Sequence, residues 1–354
     1  MVLAFHFSTF FGNLQGPWKA LRTVFVAGWT GVDLFFVLSG CLITGILLDE
    51  RGTGGYFRRF YIRRALRIFP VYYLMLGLTF TLLRPWLLPP EGVPALATGA
   101  YLINFSNWLS VNQTETPALT HFWSLAVEEQ FYLCWPLAVL WLDRKVLVRL
   151  IGVVIVLAPV VRFLILSSAG DPEWLKRMAS TLTPSRADGL AFGALVAVIL
   201  RHPQVAVRLM GYSTASIACV GGGLALWFGL KSRLHLESAG TLALLYSVLG
   251  VGYGLLVLRA IWKSGGSELA LRVLRKPLLR QAGRYSYAAY VFHLPVLDVM
   301  EQGMARLGWG ARPEMALIWF VGSFVVTFGL ARISWQLMEA PILKWKDVFA
   351  PRLG

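Results

Sequence analysis

The sequence predicts an all-α polytopic integral membrane protein, a helical bundle with about ten transmembrane helices. Three observations support this prediction, and two of them concern composition. Hydrophobic residues make up 57% of the chain, and charged residues make up only 14%, where soluble domains have about 25%. The third is that apolar runs of membrane-spanning length recur from one end of the chain to the other. Because lipid offers no hydrogen bonds, each backbone polar group must be satisfied within its own segment, which favours helices.

The apolar runs fall near 2–14, 27–48, 66–83, 95–109, 122–142, 147–166, 187–200, 212–230, 239–262, 285–303 and 315–338. No internal repeat or appended soluble domain separates them, so residues 1–354 are predicted to form one membrane-embedded domain. The run 95–109 contains Asn104 and Asn107, and we expect it to be re-entrant or peripheral. The other ten runs would then each cross the membrane.

The positive charge of the chain is gathered in short loops between apolar runs. The net charge is +15, and arginine and lysine are dense in 51–67, 143–149, 259–284 and the tail after 343. This distribution follows the positive-inside rule and indicates a lipid bilayer, not nucleic acid, as the partner. We therefore expect these segments and both termini to be cytoplasmic.

Ionisable residues inside apolar runs are functional candidates because a charge at the bilayer centre costs roughly 2.5–3.5 kcal/mol. His6 is one, although a lone histidine in an apolar helix is often a hydrogen-bonded core residue. A buried Asp33 needs a partner, such as a histidine or arginine on a neighbouring helix. The alternative is a carboxylate at a helix N-terminus that interacts favourably with the helix dipole. Glu128 and Glu129 are adjacent and so point to different helix faces. We expect one to pair with a buried cation and the other to face an aqueous cavity.

Further polar candidates lie at the ends of apolar runs. Arg63 and Arg67 are four residues apart on one helix face, beside Arg64 and ahead of Tyr72. Paired guanidinium groups at the membrane boundary suit a phosphate, either of a lipid headgroup or of a nucleotide. The remaining candidates are Arg186 and Asp188 at the start of one run, and His293 in a late one.

The histidines are isolated, and the three cysteines all lie in apolar runs. Neither set has metal-ligand spacing, so no metal site is predicted. What remains is histidine with carboxylates near an arginine cluster. This pattern favours acyl transfer from a phosphate-bearing donor to a hydroxyl, with the histidine as general base and a carboxylate orienting its ring.

The chain resembles the acyltransferase-3 family of integral membrane acyltransferases. The stretches that match, in the order of the family, are GVDLFFVLSGCLIT (31–44), FYIRRALRIFPVYYL (60–74), HFWSLAVEEQFYLCWP (121–136), RADGLAFG (186–193), SYAAYVFHLP (286–295) and SWQLMEAP (334–341). The resemblance implies about ten transmembrane helices. It also implies transfer of an acyl group, commonly acetyl from acetyl-CoA, to hydroxyls of carbohydrates.

The resemblance also assigns roles to residues. His6 would be the catalytic base, with Asp33 and Glu128 as further catalytic residues. Acyl-CoA would be a donor substrate and not a tightly bound cofactor. The donor-binding residues would be Arg63, Arg64, Arg67 and Tyr72, and the acceptor-binding residues Trp123, Glu129, Tyr132, Arg186, Asp188 and His293.

The acceptor stays open at this point. A carbohydrate or glycolipid of the cell envelope is expected, for example a lipopolysaccharide O-antigen or peptidoglycan. Family members have a longer segment before the first-helix histidine, so the start of this chain is expected to be truncated. The rival interpretation is a transporter of a small anionic solute, for which the absence of internal repeats is unfavourable. A structural or lipid-sensing membrane protein would not need carboxylates in several spans.

Overall fold

The computed structural model describes residues 1–12, 15–212, 239–262, 275–308 and 313–351, with the isolated positions 214, 218 and 220–222. Helix is the regular secondary structure of this part of the chain, and no strand occurs in it. The long helices are α3 (Gly31–Asp49), α4 (Tyr56–Phe80), α8 (Phe122–Trp141), α9 (Arg144–Leu166), α11 (Thr183–Ile199), α13 (Ala239–Trp262), α14 (Pro277–Arg306) and α15 (Pro313–Ser334).

Shorter helices connect the long ones. They are α1 (Val2–Phe7), α2 (Pro17–Val26), α5 (Arg84–Leu87), α6 (Ala95–Leu102), α7 (Leu109–Asn112), α10 (Pro172–Thr181), α12 (Pro203–Met210), α16 (Ala340–Lys344) and α17 (Lys346–Phe349). A π-helical turn, Trp335–Glu339, follows α15.

The expected all-α membrane architecture is confirmed, whereas the number of ten crossings is not. By length and composition, five stretches of the described residues could cross a membrane: Pro17–Asp49, Arg144–Leu166, Pro172–Ile199, Ala239–Trp262 and Met315–Phe349. Helices α4, α8 and α14 have 25, 20 and 30 residues but are not among these five. Most of the predicted run 212–230, and part of the charged segment 259–284, lie outside the described residues.

The region around 95–109 is not a simple span, as expected. Helix α6 has eight residues, which corresponds to a length of about 12 Å, and short helical turns follow it. The hydrocarbon core is about 30 Å thick. This segment therefore lies beside the long helices without crossing the bilayer as one helix.

Helices α3 and α11 pack with their backbones in contact. A Cβ atom added at Gly40 would lie 2.0 Å from the carbonyl oxygen of Leu190, and one added at Gly193 would lie 2.1 Å from that of Val37. Small residues allow such close approach between membrane helices. The close contact fixes α11 relative to α3 where both carry buried charges.

Candidate active site

Histidines from three separate parts of the chain meet beside a cavity of about 200 Å³. His6 comes from α1, His121 precedes α8, and His293 lies in the middle of α14. The ring centroid of His293 is 5.0 Å from that of His6 and 4.7 Å from that of His121. His6 and His121 line the cavity, whereas His293 is fully buried. The structure thus brings two predicted histidines together with one that the sequence did not single out.

Backbone carbonyls fix the tautomers of two of these histidines. The Nε2 atom of His121 lies 3.0 Å from the carbonyl oxygen of Val291, and the Nδ1 atom of His293 lies 2.5 Å from that of Tyr290. A carbonyl only accepts, so in the neutral rings these nitrogens carry the proton and donate. The other nitrogens, Nδ1 of His121 and Nε2 of His293, have no hydrogen-bond partner in the described structure. Each therefore presents a free lone pair.

Asp33 pairs with an arginine, which was one of the two partners expected for it. Arg186 of α11 donates from Nη2 to Oδ1 of Asp33 at 2.8 Å, and both side chains are buried. No hydrogen bond joins Asp33 to His6 among the residues described, so Asp33 is not placed as the carboxylate that would orient the His6 ring. The guanidinium offers a full charge and several donors, and it is the stronger partner for a buried carboxylate.

Arg186 also lines the cavity that His6 and His121 line. Its guanidinium carbon lies 3.8 Å from the ring centroid of Tyr246 and 5.5 Å from that of Trp123. Trp123 and Tyr246 border the same cavity. Arg186 and Trp123, both predicted to bind the acceptor, therefore lie beside the histidines.

Asp188 has a different environment: it does not line the histidine cavity, and its role in acceptor binding stays a prediction. It accepts from Nη2 of Arg162 at 2.7 Å, from Nη1 of Arg162 at 3.1 Å and from Ser247 at 2.7 Å. Arg162 further donates to the carbonyls of Ala243 and Ser185. Since every nitrogen of Arg162 and both oxygens of Asp188 are engaged and buried, this network holds α9, α11 and α13 together.

Glu128 and Glu129 of α8 have different surroundings, as expected for adjacent residues that point to different helix faces. Glu128 is buried and accepts from the hydroxyl of Tyr132. Since the hydroxyl proton of Tyr132 is donated to Glu128, the hydroxyl of Ser39 donates to the Tyr132 oxygen, which lies 2.5 Å away. Neither glutamate forms a salt bridge within the described residues, so the expected ion pair is replaced by this hydroxyl chain. Glu129 is half-buried and lines a separate opening.

Arg64 lies where two openings meet. One, of about 230 Å³, is lined by Arg64, Glu129 and Tyr132. The other, of about 330 Å³, is lined by Arg64, Glu128 and Tyr132. The guanidinium carbon of Arg64 is 5.5 Å from the Tyr132 ring centroid. Arg64 is thus the predicted donor-binding arginine that borders open space.

Arg63 and Arg67 are engaged by the end of the chain and not by an opening. Arg63 donates from Nε and Nη2 to the carbonyl of Ala350 at 3.0 and 2.5 Å. Arg67 pairs with Glu339 at 3.3 Å and donates to the Arg284 carbonyl at 3.3 Å. Both guanidinium groups are thus engaged within the chain, and binding of a donor phosphate by this pair stays a prediction.

Tyr72 likewise has a structural contact. Its side chain is fully buried, and its hydroxyl donates to the carbonyl oxygen of Tyr101 at 2.6 Å. Its ring lies 4.8 Å from the ring of Phe122. The hydroxyl of Tyr72 is therefore engaged in the core, and its role in donor binding stays a prediction.

Several site residues were missed or undervalued in the sequence. Arg162 is the only ionisable residue within the apolar run 147–166 apart from Arg149 near its start, and that signal could have identified it. His121 is the first residue of the recognised stretch 121–136. Tyr246 has no distinguishing signal in its surroundings. Within the described part of the chain, no group of three His, Cys, Asp or Glu residues could hold a metal ion.

Comparisons with known proteins identify the family of this chain. The profile of the acyltransferase-3 family, described as an acyltransferase domain, matches residues 1–335. The chain is 30% identical over 342 residues to the peptidoglycan O-acetyltransferase OatA of Listeria monocytogenes, covering 90% of this chain and 51% of that protein. It is 26% identical over 343 residues to the O-acetyltransferase OatA of Staphylococcus aureus, covering 90% and 53%.

A third relative is the putative peptidoglycan O-acetyltransferase YrhL of Bacillus subtilis, 28% identical over 350 residues, with 89% of this chain and 50% of that protein covered. The chain spans about half the length of these curated relatives. No solved structure matches it. The family match extends over nearly the whole chain and includes the helices that hold the histidine cavity, so the chain belongs to the acyltransferase-3 family of acyltransferase domains.

Proposed function

We propose that this chain is a membrane O-acetyltransferase that transfers an acetyl group from acetyl-CoA to a hydroxyl of a cell-wall carbohydrate. The observation that carries the proposal is the cavity itself, where His6 and His121 lie beside Arg186 in an acyltransferase-3 chain. The relatives named as peptidoglycan O-acetyltransferases support peptidoglycan as the acceptor to test first. A lipopolysaccharide or another envelope glycolipid is the second choice.

The chemistry requires one base and one anion-stabilising group. The acceptor hydroxyl attacks the thioester carbonyl carbon while His6 takes the hydroxyl proton. The carbonyl then re-forms, the carbon–sulfur bond breaks, and the thiolate of CoA leaves and recovers the proton. His6 is the base that the family resemblance assigns, and its place on the cavity wall supports that role.

Arg64 is the residue we propose to engage the donor. It borders two openings, whereas Arg63 and Arg67 hold α4 against the C-terminal segment. A cavity of about 200 Å³ is smaller than the roughly 300–1,000 Å³ of sites that hold drug-sized ligands. The reacting end of the donor therefore enters it, and the nucleotide part stays outside. Acyl-CoA is consumed as a substrate, and no tightly bound cofactor is required.

The proposed orientation follows the charge distribution. The arginine-rich segment 51–67 faces the cytoplasm, where acetyl-CoA is made, and both termini lie on that side of a bacterial inner membrane. The proposal retains ten crossings, so that the donor openings and the charged loops share one side. Reporter fusions at both ends of the chain test this orientation.

The experiment uses purified protein in proteoliposomes with radiolabelled acetyl-CoA and soluble peptidoglycan fragments. We expect an alkali-labile acetyl ester on the carbohydrate and one equivalent of free CoA. His6→Ala should lower kcat by about 10²–10⁴, whereas His202→Ala, at a histidine that does not line the cavity, should leave it unchanged. Full activity in His6→Ala would refute the assignment of the base. Absence of transfer by folded wild-type protein to peptidoglycan and glycolipid acceptors would refute the function.

A further inference from the structure

The described structure contains two buried arginine–aspartate pairs on α11, and they differ in how completely they are satisfied. In the pair of Arg162 and Asp188, every guanidinium nitrogen has an acceptor. In the pair of Arg186 and Asp33, one bond of 2.8 Å joins the side chains. The Nε and Nη1 atoms of Arg186 have no acceptor in the part of the chain described.

Unpartnered donors on a buried guanidinium are costly, because the group loses water and gains nothing in return. Arg186 is 2% exposed, and the face of its guanidinium lies over the ring of Tyr246. Stacking uses the face of the group and leaves the N–H bonds at its edge free. Buried polar groups are nearly always hydrogen-bonded in folded proteins. The free N–H groups of Arg186 therefore indicate an acceptor that is bound during function.

The position of Arg186 narrows the identity of this acceptor. Arg186 lines the cavity with His6, His121 and Trp123. The cavity has a volume of about 200 Å³ and admits the reacting end of a donor and an acceptor hydroxyl, but not a nucleotide. The species in that space that develops negative charge is the carbonyl oxygen of the thioester as it is attacked.

We infer that Arg186 is a catalytic residue that stabilises the oxyanion of the tetrahedral intermediate, and that Asp33 is the positioning residue that holds it. The inference rests on the proposed function. As the acceptor oxygen bonds to the carbonyl carbon, the π electrons of the carbonyl move onto its oxygen, and Nε and Nη1 of Arg186 donate to it. His6 holds the proton. When the carbonyl re-forms, the carbon–sulfur bond breaks, the pair of electrons leaves on sulfur, and the proton passes to the thiolate.

This arrangement assigns separate tasks to two side chains that line the cavity, His6 and Arg186. Neutral His6 removes a proton, and Arg186 stays cationic throughout because its guanidinium is not deprotonated in proteins. Preorganised donors in a water-poor site stabilise developing charge without reorganising, and removing one typically lowers kcat by about 10²–10³. Asp33 lowers the net charge of the buried pair to zero and fixes the orientation of the fork.

The test compares Arg186→Ala and Arg186→Lys with wild type in the acetyl-transfer assay. We expect kcat to fall by about 10²–10³ in Arg186→Ala, with the KM for acetyl-CoA little changed, because the bond forms mainly in the transition state. Arg186→Lys keeps the charge but lacks the planar fork and should recover only a small part of the rate. Added guanidinium should raise kcat of Arg186→Ala in a saturable manner, which a purely structural role would not produce.

The matched control is Arg162→Lys, at the fully satisfied arginine. Guanidinium should not change its kcat per folded molecule, and its loss should appear in thermal stability. If Arg186→Ala does not fold, Arg186→Lys decides the question. A kcat of Arg186→Lys within about threefold of wild type would overturn the inference, because that ratio corresponds to under 1 kcal/mol of transition-state energy. A lack of guanidinium rescue in folded Arg186→Ala would do the same. Inactive wild-type protein would instead refute the proposed function, on which the inference depends.

Discussion

Removal of Arg162 is the sharpest test of the buried charge network. Arg162→Met leaves a side chain of similar length but removes a cation that binds both oxygens of Asp188. The carboxylate would then be buried without its cation, with Ser247 and the backbone amide of Gly189 as its remaining partners. Breaking a buried ion pair by removing one partner costs about 3–5 kcal/mol. We expect a loss of this size in the free energy of unfolding.

The assay is denaturation in detergent micelles, followed by tryptophan fluorescence and repeated with the double variant Arg162→Met/Asp188→Leu. The double variant removes both charges, and such apolar replacements of a buried pair are often neutral or stabilising. We therefore expect it to recover most of the loss. Arg177→Met, at an ion pair with an exposed arginine, is the control and should cost less than about 1 kcal/mol.

Two results would refute this reasoning. One is a single variant that unfolds within about 1 kcal/mol of wild type, since that is the range of exposed pairs. The other is a double variant that is no more stable than the single one. Either would mean that the network does not hold α9, α11 and α13 together as its hydrogen bonds indicate.

Gly193→Ala should lower the free energy of unfolding by about 1–3 kcal/mol, because the added carbon would lie 2.1 Å from a backbone oxygen. Gly45→Ala is the control in the same unfolding measurement, since its added carbon meets nothing within 4 Å. Arg64→Ala should raise the KM for acetyl-CoA by about ten- to a hundredfold, the loss of one charge-assisted bond. Arg63→Ala should instead lower thermal stability and leave that KM unchanged, and the reverse order would contradict our assignment of the donor arginine. His121→Gln should keep a donor toward Val291 but lose the basic ring nitrogen Nδ1, so kcat/KM for the acceptor should fall by about tenfold. Unchanged kinetics would exclude His121 from contact with substrate.

Local patterns identified the fold class and several contacts, but they did not identify neighbours that are distant in the chain. The spacing of Arg63 and Arg67 correctly placed them on one face of α4. The face is covered by residues that follow α15, such as Glu339 and Ala350, which are more than two hundred positions away. Helical periodicity shows which residues share a face, whereas only the tertiary structure shows what covers that face.

The buried carboxylate of Asp33 shows the same limit of prediction from the sequence. The cost of burying a charge predicted that Asp33 needs a partner, and an arginine was one of the two partners expected. The sequence could not choose between histidine and arginine, because the choice depends on which helix packs against α3. Close contact at Gly40 and Gly193 brings α11 there, and with it Arg186.

The geometry of α11 explains why its two charged residues have separate roles. Arg186 and Asp188 are two positions apart, which rotates their side chains by about 200° around the helix. One therefore faces α3 and the cavity, and the other faces α9 and α13. The network on the Asp188 side uses all of its donors and acceptors, so it fixes the rotation of α11. That rotation in turn holds Arg186 beside the histidines with donors unused, which is the arrangement that an anionic intermediate requires.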